Sequence, residues 1–166
     1  DHGPVGGDTH TTEVCTLHPG FIVGPAVLSG SASSSVEGLA KLLSGKIPGV
    51  PILHNPIVDN RDCALAHLNA LKLMISEPGK LHGKRFSLVK ESIWFDEMTV
   101  LMNNYFTENS INLKAPTKRL NTRLLKFAAH FDKQIGTIGK LLGQEYYFNS
   151  EPSKELLGIE YHRSLQ

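Results

Sequence analysis

Cysteine, net charge and long apolar runs are all scarce in this sequence. Its 166 residues include two cysteines, Cys15 and Cys63, and carry a formal net charge of +1. Two cysteines are too few for a disulfide scaffold, so we interpret both as buried thiols. The near-zero charge leaves no electrostatic footprint for nucleic acid or an anionic membrane. The sequence also contains no Asn-x-Ser/Thr acceptor, no leader-like segment and no membrane-spanning apolar run, so we expect a soluble, cytoplasmic protein in a reducing environment.

Patterns typical of metal or nucleotide sites are missing as well. The eight histidines are scattered, and no two stand at metal-ligand spacing near an acid, so no metal site is predicted. His67 lies in an apolar segment, where we expect a hydrogen-bonded core histidine. Gly3, Gly6 and Gly7 cluster, but no strand precedes them and no apolar helix follows, which is the wrong context for a dinucleotide-binding turn.

What the sequence does contain is an alternation of short β-branched runs and helical patterns. The predicted order is a strand at Glu13–Leu17, a second apolar piece at Phe21–Val23, a helix at Ser35–Ser44, a strand at the end of Val50–Val58, a helix at Cys63–Ile75, a strand at Arg85–Val89 and a helix after Ser92 that includes Trp94. Alternation of this kind predicts an α/β domain with a parallel sheet.

The segment Cys63–Ile75 is apolar almost all round, which predicts a helix that is buried on every side. Asp62 is placed to cap it. Asp59 and Asp62 bracket Arg61, and an ion pair with a helix cap explains this charge pattern without catalysis. Beyond Phe106 the spacing predicts one long amphipathic helix from Leu120 to Leu142, then a short helix at Glu151–Gly158 and an extended piece at Ile159–Tyr161.

An α/β sheet binds its ligands outside the carboxyl ends of its strands. The first such end here is His18-Pro19-Gly20, where glycine lets a ligand approach the backbone closely. Ser31–Ser35 then leads into a helix N-terminus that suits a phosphate or a ribose. Two plainer interpretations stay open, because Pro19-Gly20 also fits a simple turn and Ser34-x-x-Glu37 a capping box. Spacing alone favours the plainer pair.

Four segments together resemble the extended short-chain dehydrogenases/reductases of the NAD-dependent epimerase/dehydratase type. They are VCTLHPGFIVGPAV (14–27), IVDNRDCALAHLNAL (57–71), GKRFSLV (83–89) and SKELLGIEY (153–161), in the family's order and separations. The branch they resemble contains dihydroflavonol reductase, cinnamoyl-CoA reductase and 3β-hydroxysteroid dehydrogenase-like enzymes. The resemblance implies the C-terminal part of a Rossmann-like doubly wound parallel sheet at residues 13–106, a small, mainly helical substrate-side region at 107–166, and a loop or tail at 1–12.

The resemblance also implies the ligands and the residues that meet them. It predicts an oxidoreductase that transfers a hydride between NADP(H) or NAD(H) and a carbonyl or hydroxyl group of a small apolar substrate. The implied dinucleotide contacts are Pro19, Gly20, Ile22, Ser34 and Ser35. The implied substrate pocket is bordered by Phe21, Gly24, Pro25 and Trp94.

The family's catalytic pair does not occur in this sequence. In that family a tyrosine protonates the carbonyl oxygen and a lysine four residues later lowers the tyrosine pKa. The four tyrosines here are followed, four residues on, by Asn109, Ser150, Glu151 and Leu165. We therefore name no catalytic residue and expect the chain to be an inactive C-terminal half. The alternative is a truncated, non-catalytic interaction module, and a homodimer is left open for either.

Overall fold

The computed structural model describes residues 12–25, 34–45, 48–121, 123, 125 and 139–161. Within these residues the elements are β1 (Thr16–Pro19), β2 (Phe21–Val23), α1 (Ser34–Leu43), β3 (His54–Asp59), α2 (Asn60–Ser76), β4 (Arg85–Leu88), β5 (Glu91–Trp94), α3 (Phe95–Glu108) and α4 (Glu151–Leu157). The predicted α/β class is confirmed, and the predicted strands and helices up to residue 89 all appear within a few residues of their expected bounds.

The strands form two small sheets that meet at β3. β1 pairs with β4 in parallel, from Thr16 opposite Arg85 to Pro19 opposite Leu88. β3 pairs in parallel with β2 on one side and antiparallel with β5 on the other. Two of the three pairings are thus of the predicted parallel kind. The antiparallel one arises because β5 turns back directly after β4.

The prediction that Trp94 belongs to a helix is wrong. Ser92 pairs with Pro56 and Trp94 with His54, so both lie in a strand. The helix α3 begins one residue later, where the Trp94 N–H donates to the Glu97 carboxylate at 3.4 Å. The apolar stripe that predicted the helix is real, but strand pairing takes its first residues because it satisfies their backbone groups.

α2 also departs from its prediction in two respects. Its N-cap is Asp59 rather than Asp62, which is buried inside the first turn. Its burial is one-sided: the buried stripe consists of small or short side chains (Asp62, Cys63, Ala66 and Ala70), whereas the large ones on other sides are exposed (Leu65, Leu68, Leu71 and Ile75). Small residues on the inner stripe let the helix approach the sheet closely, and composition alone does not show which stripe is covered.

The core lies between the β1–β4 sheet, α2 and α4. It contains Val58, Cys63, Ala66, Ala70, Leu81, Phe86, Leu88, Leu157, Ile159 and Tyr161. α4 is tied to α2 by the Asn69 side chain, whose Nδ2 donates to the Leu157 carbonyl at 2.8 Å. The predicted short helix is confirmed as α4. In the predicted piece after it, Ile159 and Tyr161 are buried and Glu160 is exposed, and the piece forms no strand.

Of the predictions for the cysteines and for His67, the first is confirmed in part and the second is wrong. Cys63 is buried and Cys15 partly buried, and both are free thiols. His67 is wrong as a core residue, because its ring is exposed, although its Nδ1–H can donate to the Cys63 carbonyl at 2.8 Å. The predicted helix from Leu120 to Leu142 falls mostly outside the described residues. Among the described residues no helix is long and apolar enough to cross a membrane, and no cluster of histidine, cysteine and acidic side chains could hold a metal.

The buried tyrosine of the core predicts alkaline sensitivity. Burial raises the pKa of Tyr161 above its ordinary 10.0, while its hydrogen bond to Ser153 partly opposes this. The folded chain therefore holds the phenol proton more tightly than the unfolded chain, so this stabilisation is complete below pH 10 and is lost as pH rises through the raised pKa. Burial raises the pKa of Cys63 above 9.0 in the same sense.

We expect the free energy of unfolding in urea to fall as pH increases above about 9. Tyr161→Phe should cost about 1 kcal/mol at pH 7 through the lost hydrogen bond. It should also make the alkaline fall shallower, because the Tyr161 phenol is gone and of these two groups only the Cys63 thiol still titrates. Tyr105→Phe, at a ring that is 58% exposed, controls for loss of a tyrosine hydroxyl. An alkaline fall equally steep in Tyr161→Phe and in the unmodified chain would contradict the assignment.

Candidate functional site

After the carboxyl end of β1, the chain leaves β4 and pairs with β3. Pro19 is the last residue of β1 to pair with β4, and the Gly20 N–H still reaches the Leu88 carbonyl at 3.1 Å. On the other side, the Lys90 N–H donates to the Ile57 carbonyl at 2.8 Å. β3 therefore fills the space between the continuations of β1 and β4. The prediction of a turn at Pro19–Gly20 is wrong, because Gly20 is the single residue between β1 and β2 and the chain continues from one strand into the next. We call this connection the Pro19–Gly20 junction.

Gly20 is required at the junction by a close backbone approach. A Cβ at this position would stand 2.4 Å from the Pro56 carbonyl oxygen, closer than carbon and oxygen tolerate. The junction after β1 thus rests directly on the backbone of β3. The missing side chain at Gly20 therefore serves the approach of β3.

Phe21 and Ile22 project from opposite faces of the sheet, since side chains alternate along a strand. Ile22 lies opposite Val58 and packs against the core. Phe21 lies opposite Ile57, and its ring meets that of Phe95 edge-on at 6.4 Å between centroids. The Ile22 side chain is therefore engaged by the core.

The Gly24–Pro25 loop is anchored on the N-terminus of α2. Asn60 Nδ2 donates to the Pro25 carbonyl at 2.7 Å. Gly24 has φ +129°, and a Cβ there would lie 2.5 Å from Asn60 Oδ1, so only glycine fits. Asp59 lies beside Gly24. Its carboxylate accepts hydrogen bonds from the Arg61 backbone N–H and from two nitrogens of the Arg61 guanidinium, at 2.7–2.8 Å.

The ion pair predicted at this junction is present. The hydrogen bond from Arg61 to Asp59, at 2.7 Å between Nη2 and Oδ2, raises the pKa of Arg61 and keeps the guanidinium charged. The same carboxylate caps α2. Both roles hold the start of α2 at the end of β3, and so fix the Gly24–Pro25 loop that Asn60 binds.

The two serines lie at the start of α1, which packs against β2. Ser34 is the first helical residue rather than the cap before it, and its side chain lies outside the described residues. Ser35 is partly buried. The helix that begins with the two serines is thus a neighbour of the strand Phe21–Val23.

Trp94 belongs to a different cluster, which the sequence did not reveal. His54, 8% exposed, lies 5.0 Å from the Trp94 ring and 5.3 Å from the Tyr147 ring. Its Nδ1 accepts from the Tyr146 N–H at 3.0 Å. The Arg119 guanidinium lies 5.9 Å from the Trp94 ring centre. Because Trp94 pairs with His54, it shares the face of Ile22 and not that of Phe21. Strand register, which is a tertiary property, was the missing signal.

A cleft of about 510 Å³ opens beside Lys90, just after the carboxyl end of β4. It is lined by Lys90, Lys154, Glu155, Gly158, Ile159, Glu160 and Tyr161. None of the nine residues predicted from the resemblance lines it. Most of its lining residues, which include positively and negatively charged side chains, belong to α4 and the segment after it. This cleft is therefore separate from the Pro19–Gly20 junction.

Solved reductases and epimerases share this fold. Yeast methylglyoxal/isovaleraldehyde reductase Gre2, complexed with NADPH, matches with a TM-score of 0.57 and 20% identity over 89% of this chain and 38% of its own. Vestitone reductase from alfalfa (Medicago sativa) matches with a TM-score of 0.57 and 18% identity over 92% of this chain and 40% of its own. UDP-glucuronic acid 4-epimerase from Bacillus cereus, in complex with NAD, matches at 0.56 and 13% over 91% and 41%.

These likenesses confirm the predicted fold, a part of the Rossmann-type structure of NAD(P)-dependent reductases and epimerases. The chain spans about two fifths of the length of each solved relative. No known family profile matches the sequence, and no curated protein matches it.

The close approach at Gly20 can be tested with a matched pair of glycine substitutions. Gly20→Ala should lower the free energy of unfolding by about 1–3 kcal/mol, since the new methyl group overlaps the Pro56 carbonyl. Gly38→Ala, in α1 with nothing within 4 Å, should raise it by about 0.5–1 kcal/mol. Urea denaturation measures both. Equal changes in the free energy of unfolding for the two substitutions would show that the Pro19–Gly20 junction does not rest on β3.

Proposed function

We propose that this chain is the C-terminal part of an NAD(P)-dependent oxidoreductase that acts on a carbonyl or hydroxyl group of a small apolar substrate. The observation that carries the proposal is the Pro19–Gly20 junction, held against β3 at the carboxyl end of a parallel strand pair. Ligands bind at such ends in open α/β sheets. Solved proteins of the same fold hold NADPH or NAD.

On the dinucleotide side, the proposed contacts come from two elements. The backbone of Pro19, Gly20 and Ile22 would lie against the nicotinamide, because the Ile22 side chain is already turned to the core. Ser34 and Ser35 would meet a ribose or a phosphate at the start of α1, where free N–H groups favour an anion. The bound dinucleotide supplies the hydride.

On the substrate side, Phe21 and the Gly24–Pro25 loop are the proposed walls. Phe21 is partly buried against Phe95, and Asn60 holds the loop in place. Trp94 lies on the other face of the sheet by register, so we assign it a more distant part of the wall. Its packing on His54 keeps it rigid there.

The acid–base groups of the reaction are proposed to come from residues outside these 166. The sequence contains no Tyr-x-x-x-Lys and corresponds to about two fifths of its solved relatives. By itself the chain should bind a dinucleotide weakly and not turn over, because it would form only one wall of the site. The likeness to reductases does not favour the alternative of a non-catalytic interaction module.

A dinucleotide titration tests this proposal on the 166-residue chain. We expect NADPH or NADH to shift the backbone amide resonances of Gly20, Ile22 and Ser35 in ¹⁵N-labelled protein. The dissociation constant should be weaker than about 1 mM, since the contacts of the other wall are missing. Fluorescence of Trp94, the only tryptophan, reports any tighter event. Gly38→Ala should keep these resonance shifts. Gly20→Ala, which displaces the Pro19–Gly20 junction, should lose them.

Two outcomes would count against the proposal in different ways. If no amide resonance at the Pro19–Gly20 junction shifts, the dinucleotide binds at another site or does not bind, and the proposed function is wrong. Micromolar binding of the dinucleotide at the Pro19–Gly20 junction would support the proposed function. It would refute the claim that this chain carries only part of the site.

A further inference from the structure

The segment of residues 143–150, which we call the strap, contains no helix or strand and is anchored at both ends to backbone carbonyls. At its start the Gly143 N–H donates to the Ile52 carbonyl at 2.8 Å, just before β3. At its end the Ser150 hydroxyl donates to the Val89 carbonyl at 2.8 Å, just after β4. Backbone amides, carbonyls and serine hydroxyls keep their charge throughout the ordinary pH range. These two anchors are therefore independent of pH.

Between the anchors, the strap is held by an imidazole. The Tyr146 N–H donates to His54 Nδ1 at 3.0 Å. A backbone amide only donates, so Nδ1 must offer its lone pair, and the ring is neutral with its proton on Nε2. Protonation of Nδ1 would place two N–H groups against each other at hydrogen-bond distance. Unlike the two anchors, this middle bond therefore exists only while His54 is uncharged.

Burial differs sharply between the imidazole and the strap that it holds. The His54 side chain is 8% exposed, and its ring lies 5.0 Å from the Trp94 ring and 5.3 Å from the Tyr147 ring. Tyr147 and Phe148, in contrast, are 78% and 47% exposed. Burial contributes little to holding such exposed rings, and a largely solvated segment opens locally at low cost. The bond to His54 is therefore a main restraint on the middle of the strap.

Other charged or titratable side chains border the His54 and Trp94 rings, and each has a partner: Arg119, Asp96, Glu97, Glu145 and Tyr147. The hydrogen bond to Asp96 raises the pKa of Arg119, and the hydrogen bond to Glu145 raises the pKa of Tyr147. Carboxyl, phenol and guanidinium groups ordinarily titrate outside about pH 5–8, the range in which an imidazole does. His54 is thus the group of this cluster that is expected to change its charge near neutral pH.

We propose that His54 is a pH-sensitive latch: the neutral ring holds the middle of the strap against β3, and the protonated ring releases Tyr146 and Tyr147 while the Gly143 and Ser150 anchors stay in place. This inference is independent of the proposed function. Tyr147 lines a cavity of about 210 Å³ together with the residues that connect β4 to β5. Release would therefore change the shape of this cavity and uncover the His54 ring.

A pH titration of ¹⁵N-labelled protein tests the latch without any substitution. As the pH falls from about 8 to about 5, the Tyr146 amide resonance should move towards the position of a water-exposed amide, in step with the His54 ring resonances. The ratio of released to latched strap should rise by up to about tenfold per pH unit, because each release takes up one proton. The Gly143 amide, whose acceptor is a backbone carbonyl, should keep its resonance.

His54→Asn is the matched variant, because an asparagine oxygen can accept a hydrogen bond at the position of Nδ1 and does not titrate. It should identify the His54 ring resonances by their loss and keep the Tyr146 amide near its latched position throughout. His82→Asn controls for the loss of a histidine. Its Nδ1 also accepts a backbone N–H, from Val14 at 3.4 Å, but at an exposed site. This variant should leave the Tyr146 titration unchanged.

Several results would overturn the proposal. One is a His54 ring that stays neutral down to about pH 5 or that titrates without a response of the Tyr146 amide. Another is a Tyr146 response as large in His54→Asn as in the unmodified chain. A Gly143 amide that moves together with Tyr146 would show that the strap detaches as a whole. That comparison within the unmodified chain decides the question even if His54→Asn does not fold.

Discussion

The contact on which the described structure depends is the approach of Gly20 to the Pro56 carbonyl. β1 and β4 pair up to Pro19 and Leu88, and β3 then occupies the space between their continuations. The two sheets join only if the chain after β1 can lie directly on the backbone of β3. A side chain at position 20 would hold them apart, because its first carbon would overlap the carbonyl oxygen.

This junction also organises the candidate site. The end of β3 leads without a loop into α2, and Asp59 caps that helix while it binds Arg61. The first residue of α2, Asn60, then holds the Gly24–Pro25 loop through the Pro25 carbonyl. Backbone geometry, one carboxylate and one amide thus place the proposed dinucleotide wall and substrate wall next to each other.

The sequence was informative about elements and less so about their surroundings. Alternating apolar runs located the strands and helices up to residue 89, because local periodicity reflects local backbone geometry. Trp94 was misassigned since a helical stripe and a strand residue look alike when the partner strand is unknown. The exposed side of α2 and the buried one are equally apolar, so composition could not tell Leu68 from Ala66 as the covered residue.

By itself the sequence determined the α/β class, the glycine and proline positions after β1, and the charge pattern around Arg61. These follow from residue types that restrict their own backbone or meet a neighbour a few positions away. Tertiary structure alone decided which residues face one another, such as His54 with Trp94 and Phe21 with Phe95. Such pairings depend on strand register across tens of residues, and a shift of one position would exchange every side chain between the two faces of the sheet.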